Sequence, residues 1–368
     1  MSRRPLSAVV LAAGEGTRMK SERPKPLHLL CGRPMVLHVI DALAELDVDR
    51  VVVVVGHGAE RVTKALLESA PANLIIDFVE QHVQRGTGDA VSVGLTAFPD
   101  DDADDADIVV LPGDTPLVRS PTLDRLVGSH REAEAAASVL TARVADAGGY
   151  GRVVRDKRDN VARIVEQADA TAEELAINEV NTSIYCFRRS VLAPALRRLS
   201  PENAQGEYYL TDVVGVLHDA GYAVISMAVD DPMEVAGVND RAQLAVAEAE
   251  LRDRTNDRWM HRGVTMLDPR RTYIDATVRL SPDVTLFPGA ILQGSTTVGA
   301  GAQIGPDSRL VDCVVGDGAV VEQTVARQAE IGAEARVGPF AALAPGSRVA
   351  PGTVTGPFFA ADGHQEGT

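Results

Sequence analysis

The chain has 368 residues, 45% of them hydrophobic, with 36 basic against 52 acidic side chains and a formal net charge of −16. That length allows two domains, each with its own core, and the composition is that of a soluble globular chain with no stretch polar or repetitive enough for a large disordered region. The negative charge argues against nucleic acid or an anionic membrane as the main partner, since either demands a positive face, and no apolar run reaches membrane-spanning length.

The N-terminal run SAVVLAAG is short, lacks a small-residue cleavage site and leads straight into a glycine turn, so it reads as a buried strand rather than a signal peptide. Helical and β-branched patterns then alternate: a helix from Met35 to Leu46, the strand RVVVVVG, a helix from Ala59 to Ser69, the strand NLIIDFVEQ, a helix after Gly86 and the strand DIVVLPGD. This order, kept to about residue 230, predicts a Rossmann-like α/β domain over 1–230, with a mostly parallel sheet and ligands at the carboxyl ends of its strands. The acidic run from Asp100 to Asp107 reads as a solvated loop, with a cation site as the weaker alternative.

Residues 231–263, rich in Ala, Leu, Glu and Arg from Asp240 to Met260, read as a helical connector. Over 264–356 the periodicity changes to six, carried by Val278, Val284 and Ala290, by Val298, Ile304 and Leu310, and by Ile331, Val337, Leu343 and Val349. One small aliphatic per six residues predicts a short left-handed parallel β-helix of about four coils. The closing residues 357–368 hold no repeat and are expected to fray. Cys31, Cys186 and Cys313 are odd in number, far apart and set in apolar surroundings, which fits packing and a cytoplasmic location rather than a disulfide framework or a zinc site.

The most informative segment is LAAGEGTRMKSERPKPLH, from Leu11 to His28. A glycine loop directly after a strand exposes N–H groups to phosphate oxygens and lets the backbone approach a ligand. A dinucleotide fold would want glycine at Met19, and the GKS or GKT of a P-loop is absent. What remains is a glycine loop followed by Arg18 and Lys25, two cations able to neutralise a pyrophosphate leaving group.

This segment resembles the N-terminal signature of sugar-1-phosphate nucleotidyltransferases, and most of all that of the bifunctional N-acetylglucosamine-1-phosphate uridyltransferase/glucosamine-1-phosphate acetyltransferase (GlmU) family. Seven further blocks follow in the family's order: EQHVQRGTGDA, LPGDTPL, GGYGRVV, IVEQADA, NEVNTSIY, NAQGEYYLTDVV and VAGVNDR. The resemblance implies an enzyme that joins UTP and N-acetylglucosamine 1-phosphate into UDP-N-acetylglucosamine with release of pyrophosphate. It implies that the backbone from Leu11 through Ala12, Ala13 and Gly14 meets the nucleoside, and that Arg18 and Lys25 face the phosphates. Gln81, Gln84, Gly86 and Thr87 would read uracil. Asp114 and Asn239 would hold Mg²⁺ through the oxygen donors that a hard ion requires, and Gly151, Glu166, Asn181, Tyr209 and Thr211 would surround the sugar phosphate.

Plainer readings stand beside these. Asp114 in PGDTP has the form of a turn residue, and the matching Asn239 block is what favours a metal ligand. Tyr208 and Tyr209 are adjacent, so only one can face a pocket from extended chain. Arg152, Asn203 and Asp212 read equally well as scaffold, and His28, His57 and His82 as structural, with no Ser or Cys nucleophile paired to them. Two departures from the family pattern bear on substrate preference: Pro112 stands where a side-chain hydroxyl is frequent, and Ala168 where a lysine is sometimes found. Blocks resembling KAGHLTYLGD and NIGAGTITCNYDG, which carry the family's acetyl transfer, are absent, Ala344 replaces an arginine, and His364 sits in a polar segment. The expectation is therefore uridylyl transfer without acetyl transfer, in a homotrimer formed through the β-helix. The alternatives are a nucleotidyltransferase for another sugar 1-phosphate or nucleotide, against which Ala13 and the GEYYLTD block count, and a non-catalytic UDP-sugar-binding assembly protein.

Overall fold

The computed structural model describes residues 4–98, 106–363 and 366–367. The chain divides into two compact units, one of residues 1–28 and 34–244 and the other of residues 29–33 and 245–368.

The first unit is built on one nine-stranded sheet. Its strands are β1 (Leu6–Ala12), β2 (Arg50–Val55), β3 (Ile76–Glu80), β4 (Asp107–Pro112), β5 (Ala137–Arg143), β6 (Arg152–Arg155), β7 (Val161–Val165), β8 (Glu179–Arg188) and β9 (Val224–Ala228). They lie in the order β9-β5-β8-β4-β1-β2-β3, with β6 and β7 branching from β8. β1 pairs in parallel with both β2 and β4, and β8 enters antiparallel between β4 and β5.

Val51 to Val55 explain why β2 lies inside the sheet: every one is buried, as a strand covered on both faces requires. Alternate side chains go to opposite faces. Ala8, Val10, Val51 and Val53 pack with the helices α1 (Met35–Ala44), α2 (Ala59–Ser69) and α4 (Ser120–Glu132). Val9, Val52, Val54 and Val110 pack with α3 (Thr87–Leu95), α6 (Arg189–Leu196) and α7 (Asp212–Asp219); α5 is the single turn Ala172–Leu175. The result is a three-layer α/β/α unit. The acidic run predicted as a loop lies outside the described residues from Asp100 to Asp105. Its last member, Asp107, is buried at the start of β4, where Arg131 Nε donates to Oδ2 at 2.7 Å.

The connector expected from residue 231 begins later in the chain. Val235 and Val238 are buried, and Val238 N–H donates to the Asp114 carbonyl at 2.9 Å, so this segment belongs to the first unit. The helix α8 (Arg241–His261) follows.

In the second unit, short parallel strands stack into three sheets of five, six and six strands. Register is coil on coil, as in Thr285↔Gln303 and Leu286↔Ile304. The ten aliphatics that marked the period of six are each at most 3% exposed, forming the inside of a β-helix. There are more coils than the four expected, and the ladder does not stop at residue 356: Ala360–Ala361 pairs with Ala342–Leu343, and Glu366–Gly367 with Arg348–Val349. The expectation of a frayed end is corrected to that extent, while His364 lies outside the described residues. Among the described residues no helix is long and apolar enough to cross a membrane.

Candidate active site

At the carboxyl ends of β1, β3 and β4 the first unit opens a cleft of about 580 Å³. The glycine loop forms one wall. A Cβ at Gly14 would meet no atom within 4 Å, so packing does not demand glycine there, and the space stays open to a ligand. Gly16 is different: it has φ +64, and a Cβ on it would come within 2.6 Å of Lys25 Cβ. Its role is to seat the stem of Lys25.

Lys25 is the centre of a polar node. Its ammonium pairs closely with the Asp114 carboxylate and donates to Asn239 Oδ1 at 2.7 Å. Arg18 donates to the same Asn239 oxygen at 3.0 Å. The Lys25 and Asp114 side chains are only 12% and 24% exposed, so their charges act in a partly desolvated setting. The segment carrying Asn239 is held by Gln243, whose Oε1 accepts from Asn239 N–H at 2.7 Å, and by Arg241, which donates to the Met19 carbonyl at 3.1 Å. Burial, with Asp114 nearby, pushes the Tyr150 phenol up.

The opposite wall comes from the RGTG turn. Gly86 has φ +105, and a Cβ there would lie 2.6 Å from the Tyr208 carbonyl, so only glycine fits. Gly88 N–H donates to that carbonyl and Tyr208 N–H to the Arg85 carbonyl, both at 2.8 Å, while Leu210 N–H donates to Thr87 Oγ1 at 3.0 Å. Gln84 Nε2 donates to the Ala13 carbonyl at 2.6 Å. Gln81 is 5% exposed, and its Nε2 donates to Asp89 at 2.8 Å and to the Gly86 carbonyl at 3.3 Å. The group Gln81 offers to a ligand is therefore its carbonyl oxygen, the acceptor that an imide N–H needs.

Leu11, Ala12, Ala13, Gly14, Arg18, Lys25, Gln81, Gln84, Gly86, Thr87, Asp114, Asn181 and Asn239 all line this cleft. Gly151, Glu166, Tyr209 and Thr211 are not among its lining residues. Thr211 Oγ1 donates to Glu166 at 3.1 Å, and Asn181 N–H donates to the Gly151 carbonyl at 2.9 Å. Burial pushes the Glu166 carboxyl up, with Asp212, Asp169 and Glu207 adding to the shift. Burial, with the Asp169 and Glu166 carboxylates nearby, also pushes the Tyr209 phenol up to about 12. Tyr208 is half-buried and lies outside the lining, so the structure supplies no contact that favours it over Tyr209.

Several neighbours make their contacts inside the protein. Asn203 braces the turn before Tyr208, with Nδ2 donating to the Glu207 carbonyl at 2.6 Å and Oδ1 accepting from Glu207 N–H at 3.1 Å. Arg152 is buried and donates to the Tyr150 carbonyl. His28, His57 and His82 do not line the cleft. Tyr150, Ser183 and Gln243 do line it and were not singled out from sequence. The first two fall inside quoted blocks, and Gln243 follows Asn239 at the four-residue spacing that lets a side chain cap the start of a helix.

The profile of the MobA-like NTP transferase domain matches residues 8–218. A protein of Streptomyces avermitilis named "Bifunctional protein GlmU" is 47% identical over 331 residues, covering 90% of this chain and 68% of that protein. Proteins of the same name are 48% identical in Thermobifida fusca, covering 89% of this chain and 68% of theirs, and 46% in Brevibacillus brevis, covering 87% and 68%.

Proposed function

The chain belongs to the GlmU family and is a sugar-phosphate nucleotidyltransferase, and from that premise we propose that it forms UDP-N-acetylglucosamine and pyrophosphate from UTP and N-acetylglucosamine 1-phosphate. The observation that carries the reading is the convergence of Arg18, Lys25, Asp114 and Asn239 on one side of the cleft.

Uridylyl transfer is an in-line attack by a sugar 1-phosphate oxygen on the α-phosphorus of UTP. The attacking oxygen is already anionic, so no general base is needed, and positioning with charge neutralisation carries the rate. That fits a cleft with no histidine in its lining among the described residues. Arg18 and Lys25 neutralise the departing pyrophosphate. Gln81, Gln84 and the Gly86 turn hold uracil, and Asn181, with Gly151, Glu166, Tyr209 and Thr211, orients the sugar.

Two oxygens, on Asp114 and Asn239, point at a single cationic atom, the Lys25 nitrogen. A pair of hard oxygen donors focused on one positive charge is a donor set that fits Mg²⁺, with water and phosphate oxygens completing the shell. Bound there, the ion would supply Lewis-acid charge neutralisation to the phosphates. Asp114 and Asn239 would hold it, and Lys25 would face the leaving group.

For this polypeptide the proposal is uridylyl transfer alone: from residue 264 to 363 the β-helix contains no histidine to act as a base for acetyl transfer. The proposed assembly is a trimer through the β-helix. Support comes from apolar side chains on its outside, including Val314, Val325 and the exposed pair Phe340 and Phe358, stacked with ring centroids 5.3 Å apart. The discriminating experiment is a panel of sugar 1-phosphates against the four nucleoside triphosphates, scored by pyrophosphate release. The UTP and N-acetylglucosamine 1-phosphate pair should turn over fastest. A different preferred pair would move the proposal to another nucleotidyltransferase.

A further inference from the structure

Where β8 reaches the cleft its pairing with β5 slips. Asn181 faces Thr141 and Ile184 faces Leu140, so Thr182 and Ser183 are looped out between them. Thr182 anchors the bulge through Oγ1, which donates to the Leu140 carbonyl at 2.7 Å. Ser183 N–H donates to Asn181 Oδ1 at 3.1 Å, which fixes the orientation of the buried Asn181 carboxamide.

Ser183 itself has φ +60, in the left-handed region where a Cβ is disfavoured and glycine is at ease. Among the described lining residues it is the one non-glycine with such a backbone. It is exposed while Asn181, Thr182, Ile184 and Tyr185 around it are buried, and among the described residues its hydroxyl makes no hydrogen bond. A strained side chain that gains nothing inside the protein, placed on the wall of a cleft, is the pattern expected of a residue kept for a ligand.

Its surroundings say which ligand. The ladder between β8 and β4 ends at Tyr185↔Val110, and beyond that point Ser183 and Pro112 both line the cleft. Pro112 has neither an N–H nor a side-chain hydroxyl, and the hydroxyls of Thr115 and Thr182 are spent on the Pro112 and Leu140 carbonyls, which leaves that of Ser183 for a ligand. In the sheet order, β8 lies on the far side of β4 from β1, β2 and β3, whose ends carry the glycine loop and Gln81. Ser183 thus stands at the end of the cleft opposite the base-facing groups.

We propose that Ser183 is a specificity-determining residue whose hydroxyl hydrogen-bonds the sugar 1-phosphate beside Asn181, supplying the contact that Pro112 cannot. This rests on the transferase reading of the cleft. The test compares the wild type with Ser183→Gly and Ser183→Ala, measuring KM for each substrate and Tm. Both variants should raise KM for the sugar 1-phosphate by about fivefold to tenfold, the size of one lost hydrogen bond, with KM for UTP unchanged. Only Ser183→Gly relieves the backbone, so only it should raise Tm, by about 1–3 °C. Ser183→Asn, which tolerates the same backbone and keeps a polar group, should recover part of the affinity. Unchanged KM for the sugar phosphate in both variants, with the Tm gain present, would show that Ser183 is only a strained turn. A rise in KM for UTP instead would overturn the placement. Absence of turnover by the wild type would count against the transferase reading itself and not against Ser183.

Discussion

The Lys25 ammonium donates to the side-chain oxygen of Asn239 at 2.7 Å although 214 residues separate the two in sequence. The Asp114 carboxylate closes on the same ammonium. Such a junction joins the glycine loop, the end of β4 and the segment before α8 into one charged centre, so the first test is to break it. Asp114→Asn keeps the shape and removes the charge. The variant should fold normally, by Tm and circular dichroism, and lose roughly 100-fold in kcat, the scale for removing one electrostatic element of phosphoryl-type transfer. Near-normal kcat at millimolar Mg²⁺ would reduce Asp114 to a turn residue.

Gly16→Ala tests the seat of Lys25 without touching a charged group. A Cβ at φ +64, 2.6 Å from Lys25 Cβ, has to displace the lysine. Stability should fall by about 1–2 kcal/mol, the cost of a left-handed non-glycine residue. Displacing the cation by about 1 Å should lower kcat by up to roughly 100-fold. A loss of stability with unchanged kcat would separate the glycine from the catalytic centre.

Gln81→Leu removes a buried amide that donates to Asp89 and the Gly86 carbonyl and that presents its own oxygen to the cleft. Leaving those partners unpaired should cost about 1–3 kcal/mol in stability and a similar amount in uracil discrimination. The measurement is KM for UTP against KM for other triphosphates. Equal losses for all nucleotides would assign Gln81 to the wall alone.

Glu166→Gln should act in opposite directions on folding and on substrate. Burial raises the Glu166 carboxyl, so the folded protein favours the protonated form. The favourable contribution is present below the ordinary carboxylate range and is lost as pH rises through the raised folded value. Glutamine mimics the neutral form and still accepts from Thr211. Its Tm should therefore equal the wild type at low pH and exceed it by about 1–3 °C at pH 8, while KM for the sugar phosphate rises. An identical Tm difference at all pH values would exclude titration of Glu166 as the cause.

How much of this was legible in sequence differs from residue to residue. The glycine loop, Arg18 and Lys25 could be read from local chemistry, whereas Asp114 alone reads as a turn residue and was paired with Asn239 only through the resemblance. Their meeting at one ammonium was not legible, since it depends on how β1, β4 and the segment before α8 are arranged in space. Gly151, Glu166, Tyr209 and Thr211 were grouped with the sugar phosphate through the resemblance; in the structure Gly151 bonds the lining residue Asn181, and Thr211 bonds Glu166. The bulge at Thr182 and Ser183 has no glycine or proline to announce it. In the β-helix the coil number was undercounted because Cys313, Ala319, Ala326, Ala329 and Ala335 fill inward places. Small side chains in slightly shorter coils, such as Val320↔Arg336, blur a period of six.

The central claim, that this cleft transfers a uridylyl group, is tested most directly by following UTP labelled at the α-phosphate together with N-acetylglucosamine 1-phosphate and Mg²⁺. Label should appear in UDP-N-acetylglucosamine in one-to-one ratio with released pyrophosphate, and Lys25→Ala should abolish both. Tight binding of UDP-N-acetylglucosamine by the wild type with no transfer of label would contradict the account and make the chain a binding protein.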